Sequence, residues 1–188
     1  MTYRNLPANS SPVSIGWINN WNYANDIPTT PWKSAMSLPR KLAIRKINNE
    51  WILLQQPADV VKSLRQKVLL MLKNETIDKT KKLSIKTQQC EIEIVLQPSV
   101  VTVSGVRLLQ VMAHEIEIGY NAKTQILYID RSKTSNRSFN ENFEKLSHYE
   151  TKLVLSNKLL RLNIFFDNSI VEVLPIMAKR FNRTVFPG

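Results

Sequence analysis

Apolar and polar residues along this chain change places in short runs, and few stretches keep the spacing of a helix. The segment Glu91-Ile92-Glu93-Ile94 alternates with period two, the pattern of a half-buried strand. Further strand-sized runs follow at residues 106–109, 115–118, 126–130, 152–155, 160–166 and 170–173. Short strands at intervals of about 8–12 residues predict a β-sandwich of two antiparallel sheets. Asn121-Ala122-Lys123-Thr124 and Ser156-Asn157 read as hairpin turns, and residues 132–146 as a longer polar loop pinned to the core by Phe139 and Phe143.

The first third of the chain has a different texture. Residues 13–17 and 35–38 are brief apolar runs bounded by Pro, Asn and Thr, and residues 42–47 and 51–54 flank Asn48-Asn49. A two-residue asparagine turn between apolar runs predicts a hairpin. The one expected helical turn covers residues 57–65, where Pro57 suits a helix start and Val60, Val61 and Leu64 fall on one face. The expected fold class is therefore all-β, with residues 1–56 forming one unit, 57–66 a helical linker and 67–188 the sandwich.

Composition narrows the function classes. The 188 residues are 43% hydrophobic, in the range of globular proteins. No apolar run approaches the roughly 20 residues that span a bilayer, so no membrane partner is expected. Residues 1–12 are polar and lack the apolar stretch of a signal peptide, which leaves the compartment open. The net charge of +11 raises the question of nucleic acid. The charge is spread thinly, however, with one tight cluster at residues 79–82 and no basic stripe interleaved with aromatics, so no nucleic-acid partner is expected. A single cysteine, Cys90, excludes an internal disulfide and a cysteine metal site. His114 and His148 lack ligand spacing. No cofactor and no metal are expected.

Two segments carry a resemblance. Ile15-Gly16-Trp17-Ile18-Asn19-Asn20-Trp21-Asn22-Tyr23-Ala24, then Pro31-Trp32-Lys33-Ser34-Ala35-Met36-Ser37-Leu38-Pro39-Arg40, resembles the fifth-blade region of levanases, inulinases and invertases of glycoside hydrolase family 32. Ile118-Gly119-Tyr120-Asn121, Leu127-Tyr128-Ile129-Asp130-Arg131-Ser132 and Phe165-Phe166-Asp167-Asn168-Ser169-Ile170-Val171-Glu172-Val173 are similar to that family's C-terminal sandwich. The resemblance implies the end of a five-bladed propeller, a short helix and a sandwich. It also implies a fructan or sucrose-type carbohydrate as partner and retaining hydrolysis of a fructosyl bond. That chemistry needs a carboxylate nucleophile and a carboxylic acid about 5–5.5 Å apart.

The family's catalytic motifs are missing from this sequence. Trp17-Ile18-Asn19-Asn20-Trp21 imitates the nucleophile motif but puts Asn20 at the nucleophile's position, with no Pro-x-Gly after it. No Arg-Asp-Pro carries a transition-state aspartate, since Asp130-Arg131-Ser132 reverses the order, and no Glu-Cys or Glu-Met supplies the acid. No catalytic residue is expected. What the resemblance retains is an aromatic wall for the apolar face of a sugar ring, formed by Trp17 and Trp21 with Asn20 as polar neighbour. Trp32 and Trp51 are expected to pack between blades.

Two places depart from the family pattern. After Val173 the sequence continues Leu174-Pro175-Ile176-Met177-Ala178-Lys179-Arg180-Phe181, poor chemistry for a tight turn. Met-Ala read one base earlier must give glycine, and codons compatible with these eight residues give Phe-Ala-Asn-Asn-Gly-Lys-Thr-Val, the family's expected hairpin. Gln110-Val111-Met112-Ala113-His114 permits Ser-Asn-Gly in the same way. Compensated frameshifts would account for a chain with only four glycines. The nucleotide sequence decides it: codons that cannot be shifted into an Asn-Gly turn exclude the idea.

Overall fold

The computed structural model describes residues 1–3, 7–47, 49–109, 114–134, 137–155 and 157–176. The fold is all-β, with short strands and little helix. In the first portion, β1 (Val13–Ser14), β4 (Arg40–Ile47) and β5 (Glu50–Pro57) form a three-stranded sheet in the order β1-β4-β5. Strands β2 (Trp17–Ile18) and β3 (Ala35–Met36) pair separately. The expected hairpin is present: Ile47 opposes Glu50, and Asn49 takes a φ of 69°, a left-handed conformation that asparagine tolerates better than most residues.

The sandwich is built from two antiparallel sheets. One holds β7 (Val103–Leu109), β8 (Glu115–Asn121), β9 (Ile126–Lys133) and β10 (His148–Lys152) in the order β10-β9-β8-β7. The other holds β6 (Gln89–Leu96), β11 (Leu160–Asp167) and β12 (Ile170–Pro175) in the order β12-β11-β6. Alternate residues of both sheets point inward, as the pleat requires. Ile94, Ile118, Leu127, Ile129, Leu162, Ile164 and Val173 meet in one core, into which the Tyr120 hydroxyl donates to Leu153 O at 2.9 Å. Gly105 faces Gly119 across β7 and β8, where an added Cβ would lie 2.0 Å from Ile118 O. Only glycine allows so close a backbone approach.

The sheet β12-β11-β6 packs its inner face on the core. Its outer face receives the linker and the first portion of the chain over Asn163, Glu172 and Leu174, which are buried, while Glu93 on β6 stays exposed. Arg65 donates to Glu91 and Glu93 at 2.6–2.7 Å, and Asn163 Nδ2 donates to Glu91 at 2.8 Å. Burial works to raise the Glu91 carboxyl, but the bonds from Arg65 and Asn163 hold it below the usual carboxylate range.

Several expectations need correction. The strand expected at 152–155 lies earlier, at His148–Lys152, and Leu153 enters the core from beyond its end. Its inward residues are Tyr149 and Thr151, so the apolar signal is weak there. Of the expected hairpin turn at 156–157, Ser156 lies outside the described residues; the strands on either side, β10 and β11, belong to different sheets and do not pair as a hairpin. The linker is a 3-10 helix, Asp59–Leu64, in which only Val61 is buried. Three residues per turn do not gather Val60, Val61 and Leu64 on one face. The loop after β9 carries a short helix, α1 (Glu141–Lys145), whose N-cap Asn140 accepts from Asn142 N and Phe143 N. Leu174 and Pro175 continue β12, with Leu174 buried. The rest of that suspect stretch, from Met177, and residues 110–113 lie outside the described residues.

Candidate functional site

The loop from Trp17 to Ser34 is shaped by asparagines. Asn19 Oδ1 accepts from Asn20 N at 2.9 Å, and Asn19 Nδ2 donates to Ser34 Oγ at 2.6 Å. Asn20 Oδ1 accepts from Asn22 N at 2.9 Å, and its carbonyl accepts from Tyr23 N and Ala24 N. These side-chain caps turn the backbone sharply, leaving Trp17 and Trp21 adjacent, with ring centroids 4.9 Å apart and planes inclined by 51°. Trp21 is 87% exposed and Trp17 38%. Two of the three candidate residues thus form one open aromatic surface. The third, Asn20, spends its oxygen on the turn beneath it.

Trp32 and Trp51 do not pack as expected. Both are exposed, because no neighbouring sheet within the described residues covers them. The ammonium of Lys46 lies 5.8 Å from the Trp51 ring centroid. The first 64 residues contain three acidic side chains, Asp26, Glu50 and Asp59. Asp26 accepts from Asn140 Nδ2 at 2.5 Å, Asp59 is held between Lys41 and Lys62, and Glu50 follows the hairpin turn. Asp26 and Asp59 are thus taken up in different bonds and do not form with each other the close pair that glycosyl transfer to a carboxylate requires.

The joint between the first portion and the sandwich was not legible in the sequence. Arg40, at the end of the Met-Ser-Leu-Pro-Arg segment, forms an ion pair with Glu172 of β12, and each residue is 2% exposed. Glu172 also accepts from Leu38 N at 2.7 Å, and Arg40 donates to Gln55 at 3.1 Å. A buried pair relies on further hydrogen bonds to its partners, and Leu38 N and Gln55 supply them here. A second contact sets Tyr23 edge-on against Phe143, with centroids 5.0 Å apart. The aromatic loop is thereby fixed relative to the sandwich.

On the outer face of the four-stranded sheet, Arg107, Glu117, Asp130 and His148 lie in one row across the strands. Glu117 accepts from the Tyr128 hydroxyl and from Arg107. The Tyr128 bond in particular holds its carboxyl below the usual range. Burial and that same bond push the Tyr128 phenol up to about 12. His148 stacks on Tyr128 at 5.3 Å. Cys90 is a free, half-buried thiol raised by burial, as befits a structural residue. Among the described residues, no group of His, Cys, Asp and Glu could hold a metal.

A blade-like set of sheets bearing an exposed aromatic loop and clamped to a two-sheet sandwich is the architecture of the fructan-active hydrolases. The solved exo-inulinase of Aspergillus awamori shares it at a TM-score of 0.72 and 26% identity, over 95% of this chain and 36% of that one. The profile of the "Glycosyl hydrolases family 32 N-terminal domain" matches residues 2–57, and that of the "Glycosyl hydrolases family 32 C terminal" matches 60–174. This chain belongs to glycoside hydrolase family 32. The extracellular exo-inulinase of Aspergillus niger is 34% identical over 86% of the chain, and the levanase of Bacillus subtilis 28% over 92%. The chain spans 31% and 26% of those proteins' lengths.

Proposed function

We propose that this chain is the last-blade and sandwich portion of a fructan- or sucrose-cleaving glycosidase and is catalytically inactive by itself. The observation that supports this reading most is the separation of the acidic side chains near the aromatic loop. Asp26 and Asp59 are engaged in other bonds, and beside Trp17 and Trp21 the loop presents an amide, Asn20, where a carboxylate would be needed. Retaining hydrolysis needs a nucleophile to form the glycosyl-enzyme and an acid to protonate the departing oxygen. An asparagine amide supplies neither.

In this reading Trp17 and Trp21 cover the apolar face of a fructosyl ring, and Asn20 offers its amide N–H to a sugar hydroxyl while its oxygen holds the loop. Retardation of the purified chain in a native gel containing levan tests the binding part. Trp21→Ala removes the most exposed indole without touching the core, so retardation should fall to the level of a gel without levan. Retardation unchanged in Trp21→Ala would remove these residues from the site.

A further inference from the structure

The alternation along β9 places Leu127, Ile129 and residue 131 on the core side of the sheet, and position 131 is an arginine only 8% exposed. Its Nη2 donates to Leu146 O at 2.7 Å, and its guanidinium lies over the Phe143 ring at 3.8 Å. Its Nε and Nη1 are buried and bond to nothing. The hydroxyls of Tyr23, 2% exposed, and Tyr149 are likewise buried and find no partner beyond each other. These two phenols stand beside each other, and Tyr23 lies within the field of Arg131. Two carboxylates of the flanking loops are engaged elsewhere: Asp26 accepts from Asn140, and Glu144 pairs with Arg137.

A buried guanidinium without an anion carries an uncompensated desolvation cost. Arginine can only donate, and a phenol pair joined by one hydrogen bond still has a proton to donate outward. We propose that Arg131 Nε and Nη1, with the hydroxyls of Tyr23 and Tyr149, bind a small monovalent anion of halide size at the joint between the aromatic loop and the sandwich. Phe143 covers one face of the guanidinium and the Leu146 carbonyl takes its other nitrogen, so one positive charge and the remaining N–H groups face the site, which suits a small singly charged ion. Burial pushes the Tyr23 phenol up to about 12, so its proton is available for donation across the neutral range. The anion ties Tyr23, from the loop that presents Trp17 and Trp21, to Arg131 of the sandwich.

Crystals of the full chain grown in sodium bromide and measured at the bromine absorption edge test this directly. An anomalous peak among these four atoms is expected, and an ordered water there in its place overturns the proposal. Thermal unfolding at fixed ionic strength gives an independent readout. Replacing gluconate by bromide at about fivefold its dissociation constant should raise the midpoint by about 2–4 °C. That rise should vanish in Arg131→Met and shrink in Tyr149→Phe, which keeps the ring in the core. A midpoint indifferent to bromide in the unmodified chain also overturns it.

Discussion

In the sandwich, Ile118, Leu127, Leu160, Ile164 and Val173 have no exposed surface, whereas Trp21, Ile44 and Trp51 in the first 57 residues are each more than two-thirds exposed. Both regions are built from strands, so secondary structure alone does not separate them. The sandwich has two sheets that cover each other, and the first portion has sheets with a face left open. A propeller blade buries its faces against neighbouring blades, and this chain spans about a third of its relatives' length. The first portion is held in place by its joint with the sandwich more than by a core of its own.

Breaking that joint should have the largest effect. Glu172→Ala takes the carboxylate away from the buried Arg40 guanidinium and should cost about 3–5 kcal/mol, measured by urea unfolding. The double change Arg40→Met with Glu172→Leu should recover most of it, since an apolar pair of similar volume avoids the desolvation. Truncating the sandwich core comes next. Leu162→Ala or Ile164→Ala should lose about 2–5 kcal/mol through lost burial and the cavity left behind.

Acid should act through the depressed carboxylates. The folded forms of Glu91 and Glu117 hold their protons less tightly than the unfolded chain does. Their contribution is present above the ordinary glutamate pKa, roughly 4.3, and is lost as pH falls through the lower folded value. Urea midpoints should therefore decline between about pH 5 and 3, and less steeply in Glu117→Gln. The smallest effect is expected at the open face: Trp51→Ala should change stability by no more than about 0.5 kcal/mol. A larger loss there would mean that the face is covered and that the contrast between the two regions is false.

Much of the strand order could be read from alternation, because Ile92, Ile94, Ile118, Leu127, Ile129 and Ile164 repeat with period two and all face one core. The Asn48-Asn49 hairpin was legible for a local reason: turn residues sit between strands that pair in register. What could not be read were features that depend on distant partners. Arg40 and Glu172 are 132 residues apart, and nothing near either one in the chain announces the other. Arg131 breaks the apolar row of β9 and looks like a surface residue until the fold turns it inward. Residues 65–88 contain Leu69, Leu70, Leu72 and Ile77, yet they form no strand and stay exposed. Apolar content alone does not supply a pairing partner. At the candidate site, the exposed Trp17–Trp21 pair followed from the aromatic loop, while the use of Asn20 as a turn cap required the geometry.

Fructose release from inulin, levan and sucrose by the purified chain is the most direct measurement of whether this portion can act alone. No fructose above the rate of a heat-denatured control is expected, since no described pair of carboxylates near Trp17 and Trp21 can form and resolve a glycosyl-enzyme. Turnover that grows in proportion to the amount of chain and survives Asn20→Ala would contradict this and require a catalytic pair elsewhere in the fold.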